Sequence, residues 1–322
     1  MMIPRSAILL FSACMIIFGT GMAAAQNYPN KSVRVVTSQA GGGNDYSARL
    51  IALSISGSLG QSLIIDNRGG GSGVIAMDIV AKAPPDGYTL LFQSNGLWTL
   101  PFIQSVPYDI VKDFAPITLS GSTPTILVVH PSVPVKSVRE LIALAKSKPG
   151  ELNYGSASTG SATHLAAELF KSMAGVNIVR VAYKGSGPAI TDLIGGQVQL
   201  MFAVASSVTQ QIKAGRLRAL AITTAQPSAL APDLPTVASS GLPGFESAST
   251  QGWWAPARTP AAIVARLNQE IVRAINRPDV KAKFFSAGVE VVGSTPEQFA
   301  AYIKADMAVV GKLVKDAGIR AD

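Results

Sequence analysis

The chain has 322 residues, 48% of them hydrophobic and only 14% charged, against roughly 25% charged in an average soluble domain, a balance that excludes a disordered segment or a coiled coil. Its 30 glycines and 20 prolines follow no period, which suits many short elements joined by tight turns and excludes a collagen-like repeat. The net charge of +8 arises from scattered Lys and Arg; without a basic run or an aromatic-interleaved stripe it argues against nucleic acid and for long-range attraction of small anions.

Residues 1–25 read as an export signal. Arg5 charges the start, Ala7 to Phe18 is apolar, and Ala23, Ala24 and Ala25 place small residues before a cut ahead of Gln26. A lipoprotein cut before Cys14 is the alternative, but Phe11-Ser12-Ala13-Cys14 lies inside the apolar run. That run is too short to span a bilayer. The mature chain, which loses its sole cysteine, is expected in a bacterial periplasm.

Beyond the signal, strands and helices alternate. Val33 to Thr37 is a β-branched strand, apolar spacing at Leu50, Leu53, Ile55 and Leu59 predicts a helix, and Leu63 to Asp66 is a second strand. Val74, Ile75, Ile79 and Val80 predict a helix, and Thr89 to Gln93 a third strand. The pattern restarts at Ile126 to Val129, with a helix from Ser137 to Lys146 capped by Ser137 and Glu140. Then come a strand at Asn153 to Gly155, a helix from His164 to Met173, a strand at Ile178 to Ala182, a helix at Ala189 to Ile194 and a strand at Leu200 to Ala203. Ala219 to Thr223 is a last strand, Gln226 to Gly244 an irregular return, and Thr259 to Asn276 and Pro296 to Ala317 are long amphipathic helices. Such alternation implies α/β architecture in two doubly wound lobes, with ligands beyond the carboxyl ends of the strands.

Two loops each follow a strand and open a helix. The first is Ser38-Gln39-Ala40-Gly41-Gly42-Gly43-Asn44-Asp45; the second runs from Ser156 through Ser158, Thr159, Gly160 and Ser161 to Thr163. Glycine permits close approach of a ligand, and exposed amides at a helix start favour an anion such as a carboxylate. An ordinary turn with Asp45 or Thr163 as cap is the alternative.

Catalytic patterns are weak. Gly71-x-Gly73-x-x-Ala76 fits a loosened dinucleotide fingerprint, but Asp86 lies too close to serve the ribose. Ser158 within Ser156-Ala157-Ser158-Thr159-Gly160 has no glycine two places before it, so a hydrolase using Ser158 and His164 is the rival to a binding protein. His164 fits better as a residue that orders the second loop. His130 and His164 lack metal-ligand spacing, and no metal or cofactor is expected.

The order Gly41-Gly42-x-Asn44-Asp45-x-x-Ala48-Arg49, Asp66-Asn67-Arg68-x-Gly70-x-x-Gly73 and Pro84-x-Asp86-Gly87-Tyr88-Thr89-Leu90 resembles the substrate-binding receptors of tripartite tricarboxylate transporters, the Bug family. Tyr108-Asp109, Asp113-Phe114-Ala115-Pro116-Ile117, Tyr183-Lys184-Gly185-x-Gly187-Pro188-Ala189, Asp192-Leu193-x-x-Gly195-Gly196-Gln197-Val198 and Pro235-Thr236-Val237 to Gly241-Leu242-Pro243-Gly244-Phe245 extend it over the mature chain. The resemblance implies a type II periplasmic binding protein, a monomer whose two lobes close by a hinge on a small organic carboxylate for delivery to a membrane permease. It implies that residues 26–120 begin lobe 1, 121–225 form lobe 2 after a crossing near Ile117 to Thr125, and 226–322 return and complete lobe 1. The carboxylate is then held by loop amides, small polar side chains and water rather than an arginine clamp.

One departure bears on the ligand: Thr37 and Ser38 stand where the family usually has Pro and an aromatic residue. Asn95 and Trp98 follow the third strand, and Trp98 either packs in the core or lines the cleft. Of Trp253 and Trp254, on opposite faces of a strand, one is expected in the core and the other near the hinge or cleft. Gln251 either donates to the ligand or fixes the hinge, and Lys184 is the cation set nearest the cleft, against a solvated structural role. A sensor that contacts a signalling protein when loaded is a third functional reading.

Overall fold

The computed structural model describes residues 28–70, 73–157 and 159–320; the expected signal peptide and Ser158 lie outside them. Strands β1 (Val33–Thr37), β2 (Leu63–Asn67) and β3 (Thr89–Ser94) alternate with helices α1 (Gly43–Leu59) and α2 (Val74–Ala81). β1 lies between β2 and β3, parallel to both. This order brings the loops after β1 and β2 and the end of β3 to one edge of the sheet. The stretch after β3 is one turn of helix, α3 (Gly96–Thr99).

The crossing between lobes is a strand, not a connection. β4 (Phe114–Val129) runs 16 residues. Residues Phe114 to Pro124 pair antiparallel with β9 (Ala248–Pro256), and Thr125 to Val129 pair with β7 (Leu200–Val204) and β8 (Arg218–Ile222). Pro116, Gly121 and Pro124 interrupt its β pattern in the sequence, and the pairing shifts register at two of these places. The partner strand lies more than a hundred residues away, so the local pattern reads as a crossing.

Lobe 2 repeats the first arrangement. α4 (Val138–Ser147), β5 (Asn153–Ser156), α5 (Ala162–Ala174), β6 (Val179–Ala182), α6 (Ser186–Ile194) and β7 follow in order, with β5 parallel to both β6 and β7. α7 (Ala205–Lys213) comes next, a short helix of mostly small and polar residues that packs on the core through Ala205, Val208 and Ile212. After β8 the return segment carries no named element until β9, as expected from its Pro and Ser content. α8 (Ala261–Ile275), α9 (Pro278–Ser286), the short β10 (Glu290–Val291) and α10 (Pro296–Asp316) finish the chain on lobe 1.

Each sheet buries both faces. Val33, Val35, Phe92 and Trp253 pack with α1 and α8 on one side of lobe 1, while Val36, Leu91, Trp98, Trp254 and Phe299 pack on the other. α10 starts with a complete capping box between Thr295 and Gln298. Phe299 and Ile303 from its first half enter the lobe 1 core, and Val310, Leu313 and Val314 from its second half meet Leu165 of α5. No helix among the described residues is long and apolar enough to cross a membrane.

Candidate functional site

A cavity of about 560 Å³ opens where the carboxyl ends of β1, β2 and β3 face the crossing strands. Ser38, Gln39, Gly42, Gly43 and Asn44 reach it from the first loop, Gln93 and Ser94 from the end of β3, and Thr123, Ser249 and Gln251 from β4 and β9. Val204, at the end of β7, also lines it. Among the described residues every lining side chain except Val204 is a hydroxyl, an amide or glycine, so a ligand meets neutral polar groups there.

α1 begins in this cavity without a side-chain cap: Gly42, in extended conformation, is its N-cap. The first amides of a helix have no partner within it and carry the positive end of its dipole. Gly41 alone in this run takes a left-handed conformation, at φ 77°, the angle glycine adopts without steric cost.

Asp45 does not face the cavity. Its carboxylate accepts the Gly41 amide at 2.9 Å, Arg49 Nε at 2.9 Å and Asn67 Nδ2 at 2.8 Å. Burial pushes this carboxyl up, and the hydrogen bonds from Gly41, Arg49 and Asn67 outweigh burial and hold it below the usual range. Asp45 therefore shapes the loop rather than touching the cavity, and Ala40 and Gly41 also stay out of its wall.

The second loop is closed on itself. Ser161 caps α5 by accepting the His164 amide, Thr163 Oγ1 accepts the Ala157 amide at 3.1 Å, and the buried His164 ring accepts the Gly160 amide on Nδ1 at 3.1 Å. Arg180, which sequence reasoning missed, braces it from β6 by donating to Ser156 Oγ at 2.9 Å and Thr159 Oγ1 at 3.0 Å. Thr159, Gly160, Ser161 and Thr163 are absent from the first cavity's wall, and so is Lys184, which is exposed. Gly160 instead sits against lobe 1: a Cβ there would lie 2.7 Å from Ile103 Cδ1.

Trp98 takes the core alternative, and the expectation that one of Trp253 and Trp254 nears the cleft needs correction. Trp98 is fully buried between Trp254, Phe299 and Tyr302, with its Nε1 donating to Asp306 Oδ2 at 2.6 Å. Trp253 and Trp254 do point to opposite faces, but each face is core, so neither reaches the cleft. Asn95 is occupied at the start of α3, where its amide bonds Thr250 O at 3.0 Å, and lies outside the cavity wall. Among the described residues no group of three or more His, Cys, Asp or Glu comes together to hold a metal.

Residues 47–319 match the family model for the tripartite tricarboxylate transporter family receptor. The chain is 36% identical over 310 residues to Protein BugT of Bordetella pertussis, covering 93% of this chain and 94% of that one. Its fold is similar to the solved structure of R. palustris Rpa4515 with adipate, at a TM-score of 0.76 and 38% identity over 92% of this chain and all of the other. It is also similar to MatC from Rhodopseudomonas palustris with bound malate, at a TM-score of 0.71 and 30% identity over 89% of this chain and all of that one.

Proposed function

The chain belongs to the tripartite tricarboxylate transporter receptor family, and from that premise we propose that it captures a small organic carboxylate in the cavity at the start of α1 and presents it to a membrane permease. The observation that carries this reading is the glycine-capped N-terminus of α1, open to a cavity whose wall, among the described residues, holds no charged side chain. Amides fixed by the fold suit one carboxylate without the cost of immobilising a flexible cation. Malate and adipate in two related structures support a carboxylate as the ligand class.

Two crossing strands, β4 and β9, form the floor of the cavity through Thr123, Ser249 and Gln251. We take residues 26–120 and 226–322 as lobe 1 and 121–225 as lobe 2, turning about these strands so that the second loop of lobe 2 swings toward the bound anion. The receptor acts as a monomer after export and cleavage following Ala25. A hydrolase is disfavoured because His164 Nδ1 already accepts the Gly160 amide, which takes the lone pair a general base would need on that nitrogen.

Thermal shift with a panel of carboxylates, followed by a mass balance of each stabilising compound, tests the reading. A ligand that binds the folded state alone raises the melting temperature and is recovered unchanged. Consumption of the compound contradicts the receptor, and a panel without any shift contradicts carboxylate capture.

A further inference from the structure

The loop after β2 opens into the same cavity through Gly69, Gly70 and Gly73. α2 starts there with Gly73 as its N-cap, at φ 92° and with no side-chain cap. Two helix N-termini, each capped by glycine alone, thus face one cavity. The close approach demands glycine: a Cβ on Gly69 would lie 2.9 Å from Gln39 Cβ, and one on Gly73 would lie 2.7 Å from Gln93 Nε2.

Gln93 supplies the independent observation. Only 2% exposed, it accepts on Oε1 from Ser38 Oγ at 3.0 Å, from Asn44 Nδ2 and from the Ser94 amide at 2.9 Å. Three donors converging on one atom identify it as the oxygen, since the flipped amide would set donor against donor. Nε2 is thereby held against Gly73, buried and without a hydrogen-bond partner. A site that keeps a buried donor unpaired discriminates strongly for a ligand bearing an acceptor there.

Resting on the carboxylate reading above, we propose that Gly69, Gly70, Gly73 and Gln93 form a second oxyanion subsite on lobe 1, so that a dicarboxylate docks one end at the start of α1 and the other on Gln93 Nε2 at the start of α2. Both acidic groups then bind the same lobe before any closure. Gln93 is the residue that separates diacids from monoacids of equal length.

Calorimetric titration of the mature protein with adipate against hexanoate, and succinate against butyrate, tests this in the wild type, Gln93→Glu and Gly73→Ala. Gln93→Glu keeps the shape and the acceptor for Ser38 and Asn44 but replaces the donor with a negative oxygen. Gly73→Ala puts a methyl group against Nε2. The wild type is expected to prefer at least one diacid over its monoacid by about tenfold or more, and either folded variant to lose that preference, its affinity falling further for the diacid than for the monoacid. Melting curves without ligand identify which variants are folded, and one folded variant suffices. A diacid preference that survives in a folded variant, or a wild type that binds monoacids equally well, overturns the subsite and leaves carboxylate capture standing. A wild type that binds none of the four acids overturns the subsite, and a thermal-shift panel without any shift overturns both.

Discussion

Asp45 Oδ2 accepts the backbone amide of Gly41 across 2.9 Å, so the first loop is tied down by a carboxylate on the helix it opens. The same side chain holds Arg49 and Asn67, which links the loops after β1 and β2. Asp45→Ala is expected to weaken carboxylate binding at least about tenfold by loosening the loop, because misplaced groups lose binding energy steeply; titration calorimetry measures it, and unchanged affinity would contradict the brace.

That brace has a pH signature. Folding lowers the Asp45 carboxyl below its ordinary value through the Gly41, Arg49 and Asn67 hydrogen bonds, against the opposing effect of burial. A group lowered by folding stabilises the fold above its unfolded value near pH 4, and that contribution is lost as pH falls through the folded value. Melting temperatures measured from neutral to acid pH are expected to fall less steeply in Asp45→Asn than in the wild type below about pH 4.

Asp306 behaves in the opposite sense. Burial pushes its carboxyl up, opposed by the hydrogen bond from Trp98 Nε1, so the fold favours the neutral acid and pays for ionisation as pH rises above the unfolded value. Asp306→Asn, which still offers an acceptor to Trp98, is expected to gain melting temperature relative to wild type as pH rises from about 4 toward neutrality. A melting-temperature difference from wild type that stays constant or turns against the variant as pH rises would contradict this.

Trp98 in the core makes a distinct forecast. Trp98→Phe keeps an aromatic ring but leaves Asp306 without its indole donor, which is expected to cost about 1–3 kcal/mol in denaturant unfolding and to leave ligand affinity within about twofold. A large affinity loss with normal stability would return Trp98 to the cleft.

The parts legible in the sequence were those with local signals. β1, the Ser137 cap and the long C-terminal helix follow from β-branched runs, apolar spacing and capping residues, and α1 forms where expected although its buried face is Ala48, Ile51, Ala52, Ile55 and Leu59, with Leu53 of the expected spacing exposed. Ser38, Gly42, Gly43, Asn44 and Gln251 were picked out by strand-end position or glycine content and do line one cavity. Gln93 escaped notice because a polar residue ending a buried strand is ordinary until Ser38 and Asn44 converge on it from another loop. Gly70 and Gly73 stand in the family motif, and Gly73 also in the discarded nucleotide fingerprint, but neither pattern marks them as ligand contacts until the fold brings the loop after β2 to the cavity. Thr123 and Ser249 come to the cavity only through pairing of β4 with β9, two strands far apart in the chain.

Amide capture and charge capture separate through three substitutions. Gly42 has ordinary extended angles, and a Cβ there meets only Gln39 O at 3.5 Å, so Gly42→Val fills the cavity without straining the backbone. Gly160→Val combines φ 77° with a contact on Ile103 and is expected to disturb the approach of the lobes as well. Lys184→Ala, at an exposed position, is expected to change affinity by less than about twofold and mainly to reduce the salt dependence of association. Calorimetry at low and high salt reads all three.

The most direct measurement is a crystal structure of the mature protein saturated with the dicarboxylate that most raises its melting temperature. Carboxylate oxygens within hydrogen-bond distance of the Gly43 and Asn44 amides, in the cavity lined by Ser38, Gln93 and Gln251, are the expected result. A ligand held instead by Lys184 or another cation, with the start of α1 facing only water, would contradict capture by backbone amides.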